Sequence, residues 1–280
     1  MTVLKDITYC TRCTIPSTQE GVTFDALGIC TACISSEEKM HINWADREKE
    51  FKKILEEAKS KAGNNYDCVL PISGGKDSFF QAHVLTKVYD MKPLAVTFSH
   101  NWYSETGFYN LQKCLEVFNL DHMQFTPARG LVNKLARKSI DVIGDSCWHC
   151  HAGIGSFPLQ IATKFKIPLL VWGESIAEND GREGHGCAKT KFDRDYFTKV
   201  SAKVTPKQMT CNSSLKMKDL KMFEPPTADE LKEVGVWGIH LGDYIFWDDE
   251  RQTEFVKKHF GWREVEMEGT YKRYKGVECI

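Results

Sequence analysis

Six residues of this 280-residue chain, Ser73-Gly74-Gly75-Lys76-Asp77-Ser78, give the strongest indication of its fold. It follows the apolar run Cys68-Val69-Leu70-Pro71-Ile72, which is typical of a buried strand, and precedes a helical pattern over 79–89. Two glycines between a strand and a helix form an oxyanion cradle, because they let backbone N–H groups approach closely and the helix N-terminus favours negative charge. Residues 73–78, the glycine-rich loop, therefore predict a phosphate site.

The side chains of the glycine-rich loop suit a phosphate ligand. The hydroxyls of Ser73 and Ser78 can donate hydrogen bonds, and Lys76 adds a positive charge. A carboxylate would repel a phosphate, so Asp77 is predicted to hold Mg²⁺ or to orient a reacting group. The Gly-x4-Gly-Lys-Ser/Thr spacing is absent, which excludes a Walker A loop.

The hexapeptide resembles the pyrophosphate loop (PP-loop) of the ATP pyrophosphatase superfamily, whose signature is Ser-Gly-Gly-x-Asp-Ser. Enzymes of that superfamily split ATP between the α and β phosphates and adenylate a carbonyl or carboxyl oxygen. A nitrogen or sulfur nucleophile then displaces AMP. The resemblance implies a Rossmann-like α/β domain of the adenine nucleotide alpha hydrolase type.

Strand-like and helix-like segments alternate from residue 66 to 175, which predicts a parallel sheet covered by helices on both faces. Strands are predicted over 67–72, 93–99, 122–126 and 167–172, and helices from 79, over 107–119, over 131–143 and over 154–165. Ligands of such sheets bind at the carboxyl ends of the strands. Three loops are expected to meet there: the glycine-rich loop, Ser99-His100-Asn101 and Gly173-Glu174-Ser175.

The composition limits the class of protein. With 42% hydrophobic and 27% charged residues, the chain matches an ordinary soluble globular protein. A net charge of −1 provides no general attraction for nucleic acid, so a nucleic-acid partner is not expected. No apolar run reaches membrane-spanning length, and residues 1–6 lack a signal-peptide core. We therefore expect a cytoplasmic protein without membrane contact.

Four of the eleven cysteines form two Cys-x-x-Cys pairs, Cys10 with Cys13 and Cys30 with Cys33. Each pair places two thiolates on one tight turn, and two such turns can complete a tetrahedral Zn²⁺ site. The segment between the pairs is too short to bury a core, so a metal would be its main crosslink. A rubredoxin-like iron site uses the same ligands, but no feature of the chain indicates electron transfer.

A further pair lies in Cys147-Trp148-His149-Cys150-His151, before a helical pattern. Three interpretations stay open. Cys147 and Cys150 could bind a second metal with another ligand, could hold a [4Fe–4S] cluster with a later cysteine such as Cys211, or could be reduced core thiols. The candidates for the other metal ligand are His149, His151, Cys187 and Cys211.

The chain is predicted to have three parts. Residues 1–34 form a zinc ribbon with four cysteine ligands, residues 35–65 a connector helix, and residues 66–280 the nucleotide-binding domain. Within that domain, the polar stretch 181–226 breaks the alternation and is predicted to be an insertion or lid, with a solvated loop as the alternative. A helical extension is expected toward the C-terminus, from a capping-box sequence over 227–230.

Over nearly its full length the chain resembles the N-acetyl sugar amidotransferase family. The matching sequences are Cys10-Thr11-Arg12-Cys13-Thr14-Ile15-Pro16, Gly21-Val22-Thr23-Phe24-Asp25, Gly28-Ile29-Cys30-Thr31-Ala32-Cys33, the glycine-rich loop, Cys147-Trp148-His149-Cys150-His151, Trp172-Gly173-Glu174 and Gly242-Asp243-Tyr244-Ile245-Phe246-Trp247-Asp248. That family acts in bacterial surface-polysaccharide pathways such as the O-antigen of lipopolysaccharide. The resemblance implies that ATP activates the acetamido carbonyl of a nucleotide-linked N-acetyl sugar, and that ammonia displaces AMP to give an acetamidino sugar.

The resemblance also implies cofactors, a partner and residue roles. ATP and Mg²⁺ would occupy the glycine-rich loop, and ammonia would come from a separate glutaminase subunit similar to that of imidazole glycerol phosphate synthase. The residues expected to bind the nucleotide are Ser73, Gly74, Gly75, Lys76, Asp77, Ser78, Ser99 and Gly173, and those expected to act in catalysis are Lys76, Asp77 and Glu174. Glu174 would bind Mg²⁺ or accept a proton from ammonia, with a structural carboxylate as the alternative. His100 would lie near the adenine or ribose.

Two other functions fit parts of the pattern. The first is a PP-loop sulfurtransferase that thiolates tRNA and carries a [4Fe–4S] cluster on Cys147, Cys150 and Cys211. The lack of a basic, aromatic-rich stretch argues against that function. The second is a non-catalytic assembly subunit with a zinc ribbon, in which the glycine-rich loop binds nucleotide without turning it over.

Overall fold

A computed structural model describes residues 6–19, 21–173 and 202–265. The chain divides into two compact units. Unit 1 comprises Met1–Phe51, Gly173–Thr190 and His240–Trp247, and unit 2 comprises Lys52–Trp172, Lys191–Ile239 and Asp248–Ile280. The sequence-based division at residues 34 and 65 stays a prediction.

A five-stranded sheet forms the centre of the described fold, and its strands follow the order β3-β2-β1-β4-β5. The strands are β1 (Cys68–Pro71), β2 (Pro93–Phe98), β3 (Asp121–Phe125), β4 (Leu169–Trp172) and β5 (Trp237–His240). β1 pairs in parallel with β2 and with β4, and β2 pairs in parallel with β3. The predicted α/β class with a parallel sheet is therefore confirmed.

Helices alternate with these strands, as the sequence pattern predicts. They are α1 (Thr31–Glu38), α2 (Trp44–Ala62), α3 (Lys76–His83), α4 (Glu105–Phe118), α5 (Arg129–Ile143), α6 (Trp148–Phe165), α7 (Pro206–Thr210), α8 (Ala228–Val234) and α9 (Asp249–Phe260). A π-helical turn, Val84–Val88, continues α3, and 3₁₀ turns span Lys39–His41, Met217–Phe223 and Leu241–Asp243. Within the described ranges, none of the helices has both the length and the apolarity needed to span a bilayer.

The main core of unit 2 lies between α6 and the sheet. A Cβ atom on Gly153 would approach the ring of Phe98 to 2.2 Å, so only glycine lets α6 lie this close to β2. Trp148 stacks on Phe223 with ring centroids 5.6 Å apart. α6 begins at Trp148 rather than at the predicted residue 154, so the segment from Trp148 to His151 forms its first turn.

The described part of the predicted lid belongs to this core. Met209, Leu220 and Phe223 are buried in the same hydrophobic cluster as Trp148. The Oγ of Ser156 donates a 2.7 Å hydrogen bond to the carbonyl of Met222, which ties the segment to α6. Residues 202–226 are therefore a packed part of unit 2. The rest of the predicted lid, 181–201, lies outside the described residues.

Candidate functional site

The glycine-rich loop connects β1 to α3 at the point where the strand order changes direction. β1 lies between β2 and β4. The chain continues from β1 to β2 and β3 on one side, and β4 and β5 then follow on the other side. Ligands of open α/β sheets bind outside the carboxyl ends of the strands at such a switch point. The topology therefore places the loop at the carboxyl end of β1, where the sequence analysis expected a ligand crevice.

Close packing fixes the backbone of this loop. Gly74 has a φ of +92°, in the region that L side chains rarely adopt. A Cβ atom on Gly74 would lie 2.6 Å from the backbone nitrogen and 2.7 Å from the Cα of Leu111, a buried residue of α4. Only glycine fits here, since the obstacle is backbone and cannot rotate away. The second glycine, Gly75, is the N-cap of α3.

The two serines close the loop on itself. The backbone N–H of Ser73 donates to the Oγ of Ser78 at 3.0 Å, and the N–H of Gly75 donates to the Oγ of Ser73 at 3.3 Å. Ser78 is 5% exposed, so its hydroxyl is part of the loop's internal support. These bonds hold the N–H groups of the loop and of the first turn of α3 together at one end of the helix, which is the arrangement that binds phosphate.

Lys76 lies between two carboxylates. Its Nζ is 2.8 Å from each oxygen of Asp77 and 3.2 Å from Oδ1 of Asp249, a residue in the first turn of α9. Burial raises the pKa of Asp77, and the charge of Lys76 opposes that rise. The sequence analysis missed Asp249, because this contact joins residues 173 positions apart.

The end of β2 presents a buried polar group. The Oγ of Ser99 accepts a hydrogen bond from the N–H of Asn101 at 3.3 Å. Nδ1 of His100 accepts the N–H of Trp102 at 3.0 Å, so the proton of the neutral ring is on Nε2. That Nε2 is buried without a hydrogen-bond partner among the described residues. His100 is therefore a buried donor, whereas a loop histidine is usually exposed.

His149 accompanies His100, and the sequence analysis considered it only as a metal ligand. Its Nε2 lies 3.4 Å from the carbonyl oxygen of His100, and its ring packs edge-on against Trp102 at 4.8 Å. Burial, with a smaller contribution from His149, lowers the pKa of His100 to about 4. Burial also lowers the pKa of His149. The pair is therefore neutral at physiological pH.

The third predicted loop is described only at its first residue. Gly173 follows β4 directly, and its carbonyl oxygen accepts the N–H of Gly242 at 2.9 Å. Glu174 and Ser175 lie outside the described residues. The roles proposed for Gly173 and Glu174 stay predictions.

The N-terminal cysteines form the second candidate centre. One sulfur atom from each of Cys10, Cys13, Cys30 and Cys33 lies within 4.8 Å of the other three. The Sγ atoms of Cys13 and Cys30 lie 3.5 Å apart, and those of Cys10 and Cys33 lie 4.0 Å apart. A tetrahedral Zn²⁺ with four thiolates at about 2.3 Å requires sulfurs roughly 3.8 Å apart, so the donor set could hold such an ion.

Backbone N–H groups surround these sulfurs. The N–H groups of Arg12 and Cys30 point at the Sγ of Cys10 at 3.4 and 3.3 Å, and the N–H of Cys33 points at the Sγ of Cys30 at 3.4 Å. Burial raises the pKa of Cys10, but the surrounding N–H groups outweigh it and lower the pKa to about 6. These N–H groups thus stabilise the thiolate of Cys10, the metal-binding form of cysteine. Burial raises the pKa of Cys30 and of Cys33, so the N–H groups do not offset burial at those two thiols.

The other predicted cysteine site is not assembled in the described ranges. The four N-terminal cysteines are the one group of three or more His, Cys, Asp or Glu side chains found close enough there to hold a metal ion. Cys147 is the N-cap of α6, with Cys150 one turn on. Cys211 is exposed, and its Sγ lies 3.6 Å from the carbonyl of Lys207. The structure therefore does not bring Cys211 together with Cys147 and Cys150. Cys187 lies outside the described residues.

Comparison with known proteins finds distant similarity. No protein-family model matches the chain. An uncharacterized protein of Methanocaldococcus jannaschii is 28% identical over 115 residues, which are 41% of this chain and 41% of that protein. The chain therefore spans less than half the length of this curated relative.

Two solved structures align more widely but loosely. A predicted subunit of tRNA methyltransferase from Methanocaldococcus jannaschii covers 73% of this chain and 82% of its own, with 13% identity and a TM-score of 0.36. NMN synthetase from Francisella tularensis covers 82% of this chain and 100% of its own, with 9% identity and a TM-score of 0.37. These likenesses are too loose to support a conclusion about function.

Proposed function

We propose that the protein is an ATP-dependent amidotransferase. It adenylates the acetamido carbonyl of a nucleotide-linked N-acetyl sugar and replaces the oxygen with ammonia, releasing AMP and pyrophosphate. The observation that carries the ATP-dependent part is the glycine-rich loop. Its backbone conformation at Gly74 is enforced by Leu111, and the loop follows the strand at which the sheet order reverses. This combination favours an oxyanion ligand at the loop.

Different groups of the loop would contact different parts of a bound polyphosphate. The N–H groups of the loop and the N-terminus of α3 would bind the leaving pyrophosphate, and Lys76 would supply a charge. Asp77 would hold Mg²⁺, since a carboxylate at 2.8 Å from an ammonium group already occupies a cation-binding position. When bound, Mg²⁺ would neutralise part of the phosphate charge. Adenylyl transfer depends on such charge neutralisation and on positioning.

The sugar substrate and the ammonia donor rest on the family resemblance described above. In the proposed reaction the acetamido oxygen attacks the α-phosphorus, and the bond from that phosphorus to pyrophosphate breaks. Ammonia then attacks the activated carbon, loses a proton to a base, and expels AMP with the original acetamido oxygen. Glu174 is the proposed base, and a separate glutaminase subunit is the proposed source of ammonia. The cysteine centre would hold Zn²⁺ as a structural ion.

The rival sulfurtransferase receives less support. It needs three cysteines around one face of a cluster, whereas Cys211 is exposed and not gathered with Cys147 and Cys150. The buried position of Trp148 and His149 within the same helical turn favours core packing for this segment. An assembly subunit without turnover is distinguished from the proposed enzyme by AMP release.

The deciding experiment supplies Mg²⁺-ATP, ammonium chloride and a panel of UDP-linked and CMP-linked N-acetyl sugars to the full-length protein, and analyses the products by mass spectrometry. We expect AMP, pyrophosphate and a sugar product one mass unit lighter than the substrate, because NH replaces oxygen. Lys76→Ala and Asp77→Ala should abolish AMP release. Lys87→Ala, an exposed lysine just after α3, is the matched control and should keep it. Full turnover in both loop variants would refute the proposal.

A further inference from the structure

The ammonium group of Lys76 is held by carboxylates from two different elements. Asp77 belongs to the same helix, α3, and contacts Nζ through both oxygens at 2.8 Å. Asp249 belongs to α9 and contacts the same Nζ at 3.2 Å. Neighbouring residues on a helix do not face each other, so the contact with Asp77 requires the lysine to fold back over the end of α3. Asp249 approaches from another direction.

The exposure of the three side chains shows where the ammonium group lies. The side chain of Lys76 is 19% exposed and that of Asp77 is 30% exposed, whereas that of Asp249 is 58% exposed. Asp249 is therefore the more exposed of the two carboxylates that hold Nζ. Because Lys76 and Asp77 belong to the glycine-rich loop, these charges lie at the rim of the proposed phosphate site.

The helix that carries Asp249 is fixed against α3 and α4. The ring of Phe255 lies 5.0 Å from His83 of α3, and the ring of Phe260 lies 4.9 Å from Phe118 of α4. Asp248 caps the helix by accepting the N–H of Arg251 at 3.0 Å. The carboxylate of Asp249 is therefore presented from a rigid element, as a residue that positions another group must be.

We propose that Asp249 is a positioning residue for the nucleotide site. It keeps the ammonium of Lys76 at the rim of the glycine-rich loop, against the pull of the bidentate Asp77, so that the charge is already in place when the phosphates arrive. The inference rests on the proposed function in one respect: the loop must bind ATP. It adds to that function a residue from the C-terminal helix.

Charge repulsion alone predicts the opposite effect on ATP affinity, so the direction of the change tests the proposal. Asp249→Asn removes a negative charge close to where a polyanion binds, so simple repulsion predicts tighter ATP binding. Positioning predicts weaker binding, because the ammonium group of Lys76 would then be held by Asp77 alone and drawn away from the rim of the loop. We expect Asp249→Asn to weaken Mg²⁺-ATP binding by about fivefold, the upper end for a largely exposed charged contact.

The experiment measures the dissociation constant of Mg²⁺-ATP by calorimetry for the full chain and five variants, among them Lys76→Met with and without Asp249→Asn. Asp249→Glu keeps the charge and should bind within about threefold of the wild type. Glu254→Gln removes the same charge from an exposed position on α9 and should leave binding unchanged. In a Lys76→Met background, Asp249→Asn should cause no further loss, because a residue that acts through another has no effect once that other is gone.

The outcomes separate this inference from the proposed function. Wild-type protein that binds no ATP overturns the proposed function, and this inference with it. Wild-type protein that binds ATP, with Asp249→Asn binding equally or more tightly, overturns the positioning role alone. An equal loss in the Lys76→Met background also overturns it, since Asp249 would then act without Lys76. Equal thermal melting of all variants serves as the check on folding.

Discussion

The glycine-rich loop and the cysteine segment, residues 6–38, are both tight-turn structures, but different forces hold them. The loop is enclosed by helices and strands, and Gly74 contacts the backbone of buried Leu111. In the cysteine segment the only buried described residues are Cys10, Cys30 and Ser35. The loop is thus shaped by an apolar core, whereas the cysteine segment has thiols where a core would be. A metal ion held by the four cysteines would replace the missing hydrophobic contribution.

The largest difference between the two regions should appear when the metal is removed from the cysteine segment. We expect prolonged dialysis against a strong chelator, or Cys30→Ser, to unfold residues 6–38, because structural zinc contributes roughly 10–16 kcal/mol in small zinc-binding peptides. Hydrogen–deuterium exchange followed by peptide mapping is the measurement, with β1 and β2 as the internal reference.

Cys211→Ser is the matched control for the metal experiment, since it removes an exposed thiol that belongs to no ligand group among the described residues. It should leave metal content at one ion per chain. Retained protection of residues 6–38 after the metal is gone would show that the segment folds on its own, and the contrast between the two regions would then fail.

Changing Gly74 should have the next largest effect, and it acts through packing. Gly74→Ala places a methyl group 2.6 Å from the backbone nitrogen of Leu111 and forces alanine to a φ of +92°. We expect ATP binding to fall by more than about 100-fold, because the loop must leave its native conformation. Calorimetric titration with Mg²⁺-ATP is the measurement.

Gly130→Ala provides the comparison for that variant. Gly130 lies in α5, and a Cβ atom there meets nothing within 4 Å. The substitution should raise the free energy of unfolding by about 0.5–1 kcal/mol, since alanine favours a helix, and ATP binding should not change. If Gly74→Ala bound ATP normally, the loop would be more adaptable than its packing indicates.

Sequence alone predicted the local features of both regions and missed the contacts that depend on long-range packing. The strand–loop–helix pattern and the paired cysteines are local, so neighbouring residues alone reveal them. Asp249 could not be found in this way, because only the packing of α9 against α3 brings it to Lys76. The stretch 181–226 was predicted to be an insertion or lid, with a solvated loop as the alternative, because polar residues dominate it. In its described part, large apolar residues such as Leu220 and Phe223 are buried in the core.

Acid should destabilise the described fold partly through His100. Its pKa falls from 6.5 to about 4 on folding, because burial disfavours the charged ring. The unfolded chain therefore binds more protons between pH 6.5 and 4, and stability falls as the pH falls through that range. The full loss attributable to His100 is roughly 3 kcal/mol. Urea unfolding followed from pH 7.5 to 4 measures it.

His100→Asn separates this loss from acid release of a metal. The side-chain oxygen of asparagine can still accept the N–H of Trp102, which Nδ1 of His100 accepts at 3.0 Å, but it does not titrate. Stability of the variant should fall less steeply between pH 6.5 and 4, whereas its metal content should follow the same pH dependence as in the wild type. An unchanged slope would mean that His100 is not the group that titrates.

The smallest effect is expected from the ion pair of the cysteine segment. Arg12, between Cys10 and Cys13, pairs with Glu37 of α1, and the two side chains are 45% and 59% exposed. Lys76 and Asp77 form the same kind of contact with 19% and 30% exposure. Water screens the exposed pair of Arg12 and Glu37, and holding these two long side chains in one geometry costs conformational entropy. Glu37→Gln should therefore change metal affinity by less than about threefold, measured by competition with a fluorescent chelator. A tenfold loss would mean that Arg12 orients the cysteine turn, and that the segment has a second support besides its metal.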